Sequence, residues 1–409
     1  MKNPQKNFSV ITSLRYLILL FLVFILFPGC EKNTEPEQLI HTSELSSQIK
    51  TAHKDFVTIV NEQMRNVAKE LKVTISSSDE PVEGIEVYVK KYPPGKPKAL
   101  IVNFPIEGVD NLSIQEMEKG VDLLFIFVQA MEGSELGTGF YVIRFLKDPK
   151  GRDMWIAQFK DLSGKVVLEK PAIRKENVPV HAGGKPTSKT QKGDANKEGN
   201  AYVCQVGHFS PLNIETSFII GDGEPQITLQ NEAAIKIVQA AQKYSETIAN
   251  AMDKVSAIFN KTIFDELISA SMNKNDFTIY TVFNGIDNFS LDDLAKGQDL
   301  FLVYLPDMKT PSLTSGFYKT RIAKESGQWN MTFYEKATNS KAEELKAKLG
   351  ERVIIEPMPA DTKLSKGCLS GGIIFDMTLA KTVFELSYTA CKNGFALATY
   401  TFTADRIRE

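Results

Sequence analysis

Few residues in this chain have both the type and the spacing for chemistry. Cys30 is the first, in "FLVFILFPGCEKN" (21–33), where an apolar run stops at Pro28-Gly29 and a polar stretch begins. Three readings meet there: a membrane span, a cleaved export signal, or an acylated thiol. His208, Phe209 and Ser210 are the second group, in "VCQVGHFSPLN" (203–213). They set a base and a hydroxyl two residues apart, the pair needed to activate an oxygen nucleophile. Asp110-Asn111 and Asp287-Asn288 are the third, oxygen donors of the kind a hard cation takes. Too few carboxylates accompany them for such a site, and turn and cap chemistry fits them better. The phosphate-loop, dinucleotide, zincin, Cys-x-x-Cys and nucleophile-elbow patterns do not occur. The histidines, at 41, 53, 181 and 208, lie far apart. His53 falls off the apolar stripe of its helix and is expected at the surface. No metal ligand set, cofactor or catalytic group is expected.

The residues before Cys30 narrow its three readings. Lys2, Lys6 and Arg15 give a positive start, and Tyr16 to Phe27 is apolar. That run suits a signal-peptide core and falls short of the ~20 residues a spanning helix needs. With Gly29 before Cys30, the segment resembles the lipobox signal of bacterial lipoproteins. It departs from that pattern at Phe27, where the family usually has Leu, and at Pro28. The resemblance implies a signal peptide over 1–29 and lipidation of the Cys30 sulfur, with 30–43 as a tether. Each buried methylene contributes about 0.8 kcal/mol, so two or three acyl chains hold a protein to a membrane through lipid alone. Glu31 stands where Asp would mark inner-membrane retention, which directs the expectation to the outer membrane rather than the inner.

His208-Phe209-Ser210 resembles the element that closes β-sandwich domains in bacterial surface proteins and ZU5-type domains. In autoprocessing members the chain is cut between Phe and Ser. Carried over, Ser210 Oγ would attack the Phe209 carbonyl with His208 assisting. Pro211 restricts the backbone of Ser210, so the expectation is an uncut terminal strand with Phe209 buried.

The chain of 409 residues has room for two or three domains. Its net charge of −2 provides no basic field for nucleic acid. With Cys30 lipidated, Cys204, Cys368 and Cys391 remain in an oxidising compartment. Cys368 with Cys391 is the preferred disulfide, because each lies near an expected strand of one region. Cys204 is then a buried thiol, although spacing alone does not fix the pairing.

The elements that must position these residues are written twice. "GVDNLSIQEMEKGVDLLFIF" (108–127) aligns without a gap with "GIDNFSLDDLAKGQDLFLVY" (285–304). The same offset relates "LGTGFYVIR" (136–144) to "LTSGFYKTR" (313–321). A match this long at one offset signals internal duplication. Trp155 and Trp329 match once the second copy is allowed a shorter hairpin.

Each copy opens with a helical stripe. The first runs through Leu45, Ile49, Ala52, Phe56, Ile59, Met64, Val67 and Leu71. The second runs through Ile235, Val238, Ala241, Ile248, Met252, Val255 and Phe259. Strands are expected at 85–91, 99–104 and 277–283. Ser113 and Ser290 should cap one helical turn, and Gly120 and Gly297 should end it left-handed. A buried strand then leads to a hairpin carrying Phe140-Tyr141 or Phe317-Tyr318, one ring on each side of the sheet. Residues 171–200 read as an exposed loop rich in Lys, Gly, Asn and Pro.

The expected architecture is α+β, with two duplicated units at 44–220 and 226–409. In each, a helix packs on a mostly antiparallel sheet. The expected role is a membrane-anchored envelope lipoprotein that binds a protein partner or small ligand, or supports an assembly. An envelope hydrolase with a site invisible in sequence is the alternative.

Overall fold

The computed structural model describes residues 35–75, 85–89, 97–150, 154–174, 187–188, 202–207, 214–221, 224–226, 231–273, 276–285, 289, 291–305, 313, 315–335, 340–353, 381–392 and 395–407. They form an α+β protein whose paired strands are all antiparallel among the described residues.

Two long helices dominate one face. Helix α1 (Glu35–Glu70) begins inside the stretch read as a tether, so its first turns are ordered well before Leu45. Helix α3 (Glu232–Ile258) starts at Asn231, whose side-chain oxygen accepts the Ala234 N–H and closes an open backbone donor. The first stripe is buried as expected except at Ile59 and Leu71, which are partly covered. The second is buried at Ala241, Ile248, Met252, Val255 and Phe259, with Val238 partly covered and Ile235 exposed. Ala234, Ile237 and Tyr244 widen the buried face, and Tyr244 escapes an apolar count because of its hydroxyl.

The first half of the sheet is a meander of β1 (Ile85–Val89), β2 (Pro97–Pro105), β3 (Val121–Gln129), β4 (Gly139–Lys147), β5 (Trp155–Lys160) and β6 (Val166–Arg174). Helix α2 (Ile114–Glu118) sits between β2 and β3. Strand β6 carries order through Arg174, so the expected loop begins later than residue 171. Residues 187–188 pair as a short β7 (Thr187–Ser188) with β8 (Tyr202–Gly207). Strand β9 (Ile214–Gly221) pairs with both β8 and β6. It brings Phe218 edge-on to Phe159 at 5.2 Å, covering the sheet face turned away from the helices.

The second half runs β10 (Ile263–Asn273), β11 (Asp276–Phe283), α4 (Leu291–Ala295), β12 (Gln298–Leu305), β13 (Gly316–Glu325), β14 (Gln328–Glu335) and β15 (Ser340–Val353). Strand β17 (Phe395–Ile407) then pairs with β15 and with β16 (Lys381–Lys392). The halves join where β1 lies antiparallel to β10. Both helices pack into one core against this joined sheet, with Phe104, Phe125, Phe127 and Phe140 from one half and Tyr304 and Phe317 from the other. Strand alternation sends Phe140 to that core and Tyr141 to the opposite one, so both rings are structural.

Candidate functional site

In the first copy the polar residues of the repeated motif serve the turn that precedes the central strand. Ser113 and Glu116 form a reciprocal capping box. The Ser113 hydroxyl accepts the Glu116 N–H, and the Glu116 carboxylate accepts the Ser113 N–H at 2.8 Å. The Ser113 hydroxyl also donates to that carboxylate at 2.6 Å, and this bond, then the one from the Ser113 N–H, holds the Glu116 carboxyl below its ordinary range. Gly120 follows at φ +92, and Gly297 holds φ +94. In that conformation each carbonyl points back at an arginine. Arg144 donates to the Gly120 oxygen at 2.6 Å, and Arg321 donates to the Gly297 oxygen at 3.2 Å. Arg144 and Arg321 were not singled out in the sequence, although both close the repeated Gly-Phe-Tyr segment. Their signal was identity at one offset.

Polar groups also converge at the seam between α1, α3 and the sheet. His53 is half-buried, not exposed as expected. Its ring lies 6.1 Å from that of Tyr244, and removal from water lowers its pKa to about 4, so it is neutral. Tyr244 is fully buried and stacks on Phe56 at 5.2 Å. Burial, reinforced by neighbouring Tyr304, raises its pKa, so the phenol keeps its proton. Tyr304 reaches from β12 to exchange a hydrogen bond with the Ser46 hydroxyl at 2.9 Å. The Tyr244 and Ser245 hydroxyls and the Asn61 amide oxygen are buried without a hydrogen-bond partner among the described residues. His53 and Tyr244 meet through their rings. Neither is activated for nucleophilic chemistry: the histidine is shielded from water and the phenol is held neutral.

Cys30, His208, Phe209, Ser210 and Cys368 lie outside the described residues, as do Asp287, Asn288 and Ser290. Cys204 lies on β8 and Cys391 on β16, each with only its backbone described. Among the described residues no three His, Cys, Asp or Glu side chains are arranged to hold a metal ion. No described helix is long and apolar enough to cross a membrane. No family model matches the chain, and no curated protein or solved structure is significantly similar to it.

Proposed function

We propose that the chain is a lipid-anchored bacterial envelope protein, held through Cys30 at the outer membrane. It acts as a non-catalytic binding or assembly module for a small ligand or an envelope protein. The anchor rests on the lipobox resemblance. The binding role rests on the helix–sheet seam, where the Tyr244 hydroxyl is buried and unpartnered. Such a group costs roughly 1–3 kcal/mol, a cost that a bound donor or acceptor would remove.

The proposal includes an origin by duplication. Its support is positional. Val142 pairs with Lys160 across β4 and β5, and Lys319 pairs with Tyr334 across β13 and β14, at matching places in the two copies. Trp155 lies 5.6 Å from Lys147, and Trp329 lies 5.6 Å from Lys324.

Labelled palmitate fed to cells tests the anchor. Wild-type protein should take up label and sediment with outer membranes, and Cys30→Ala should lose both. Label retained by Cys30→Ala would sink the anchor. Release of products from purified envelope polymers or lipids by the pure protein would replace the binding role with a hydrolase.

A further inference from the structure

Among the described residues, three cations of the second half of the sheet share one carboxylate. Asp299 opens β12 and is buried, its side chain 8 % exposed. Three cations reach it from three elements. Lys319 of β13 approaches to 3.1 Å, Lys261 of the α3–β10 turn to 3.4 Å, and Arg321 of β13 to 3.4 Å. Among the described residues no second carboxylate makes an ion pair with any of the three. The carbonyl end of α3 lies beside them, because Lys319 sits 5.4 Å from the ring of Phe259, the residue that follows the helix. That helix end offers about half a negative charge. Among the described residues, more than one unit of positive charge is left over.

The placement is not that of a surface ion pair. Lys319 is 10 % exposed and lies between two rings, 5.4 Å from Phe259 and 5.1 Å from Tyr334. Lys261 and Arg321 keep two-fifths of their side-chain area open to solvent, so the charge has a mouth. The Asp299–Arg321 contact is loose. Arg321 Nε and Asp299 Oδ1 are buried and face each other without a hydrogen bond. Burying a cation without full compensation is costly, and the matching place in the first half holds Val142.

We infer that Lys261, Lys319 and Arg321 form a binding site for an oxyanion, a phosphate or carboxylate group, which enters between Lys261 and Arg321 and is held against Lys319. The two ammonium groups supply charge-assisted donors, and Arg321, whose Nη2 holds the Gly297 carbonyl, adds its charge and its remaining N–H groups. Asp299 keeps the empty site from unfolding by its own repulsion. The ligand's remainder would lie toward Tyr334. This site is separate from the seam around Tyr244, so either reading can fail without the other.

The test titrates the full chain, purified in detergent, with inorganic phosphate and separately with acetate, at constant ionic strength held with chloride. The wild type should show a saturable rise in Tm and broadening of the free phosphate 31P resonance. Lys261→Gln keeps the buried Lys319–Asp299 pair and should weaken phosphate binding at least tenfold. Lys319→Val places in the second half the residue the first half carries, and should abolish binding. Saturation by acetate at lower concentration than by phosphate would assign a carboxylate, and the reverse a phosphate. Absence of saturation with either anion, or unchanged affinity in folded Lys261→Gln, would overturn the inference.

Discussion

The two halves of the sheet solve one problem from opposite strands. Each begins its central strand with an aspartate, Asp122 or Asp299, and each aspartate needs a cation. In the first half the cation is Lys160 on β5, at 2.7 Å, and its register partner on β4 is Val142. In the second half the lysine stands on β13 as Lys319, and the position across from it holds Tyr334. The lysine has crossed the strand pair. The move changes depth. The Asp122 side chain is 40 % exposed and Asp299 only 8 %. An ion pair in water contributes little, whereas a buried one leaves a bare charge when either partner is lost. The same sequence motif is therefore a surface contact in one half and a buried charge cluster in the other.

The largest effect should come from splitting these aspartates. Asp299→Asn removes the one carboxylate among three cations and should destabilise the protein by about 3–5 kcal/mol. Asp122→Asn should cost under about 1 kcal/mol. Urea unfolding of the two variants of the full chain checks this. Equal losses would mean that the two aspartates are equally deep and that the contrast fails.

The helices carry a second asymmetry. Helix α1 contributes a neutral histidine to the seam, where α3 contributes a phenol. His53 titrates near 6.5 when unfolded and at about 4 when folded. The unfolded chain therefore takes up the proton first as pH falls. Stability is full above about pH 6.5 and declines towards pH 4, by about 3 kcal/mol at most. Charged neighbours face this region, since Asp55 of α1 and Lys243 of α3 lie 3.8 Å apart. The comparison with His53→Gln isolates the share of the histidine. Stability of the wild type minus that of His53→Gln, followed from pH 7 to pH 4.5, should decline with acid. A flat difference would return His53 to the solvent-facing role its sequence position suggested.

Much of this architecture was legible because it is written in period and turn chemistry. The stripe of α1, the run from Val121 to Val128 and the hairpins ending at Trp155 and Trp329 all follow from spacing. The seam was not legible. Tyr244 and His53 are polar by type, and only the packing of α1 on α3 makes them interior. Nor does a sequence distinguish Lys319 from a surface lysine. It alternates in step with its strand, and its burial comes from Phe259 at the end of a helix some sixty residues earlier. Strand β6 was hidden by the Lys, Pro and Arg of "LEKPAIR", which suit a loop yet sit on a strand left largely exposed to water.

The smallest effect concerns the turn that leads into both central strands. In the first half Ser113 and Glu116 close a capping box, with two backbone donors satisfied reciprocally. The place of Glu116 is taken in the second half by Asp293, one methylene shorter, which lies 3.7 Å from Lys296. The first half should thus depend on its cap through Glu116 as well as the serine. Ser113→Ala removes the hydroxyl that accepts the Glu116 N–H and donates to its carboxylate at 2.6 Å. The loss should be about 1 kcal/mol, the usual worth of an N-cap. A second readout separates this from a general loosening of α2. The Glu116 carboxyl is held low chiefly by the Ser113 side chain, then by the Ser113 backbone N–H. Its folded pKa lies below the unfolded value, so the stability it adds is present above the ordinary glutamate range and is lost as pH falls through the folded pKa. In Ser113→Ala its titration, followed by carboxyl NMR, should move up towards the ordinary range while the dispersion of the β3 and β4 amides is unchanged. An unmoved Glu116 titration would show that the backbone N–H alone holds the carboxylate, and that the Ser113 hydroxyl is dispensable to it.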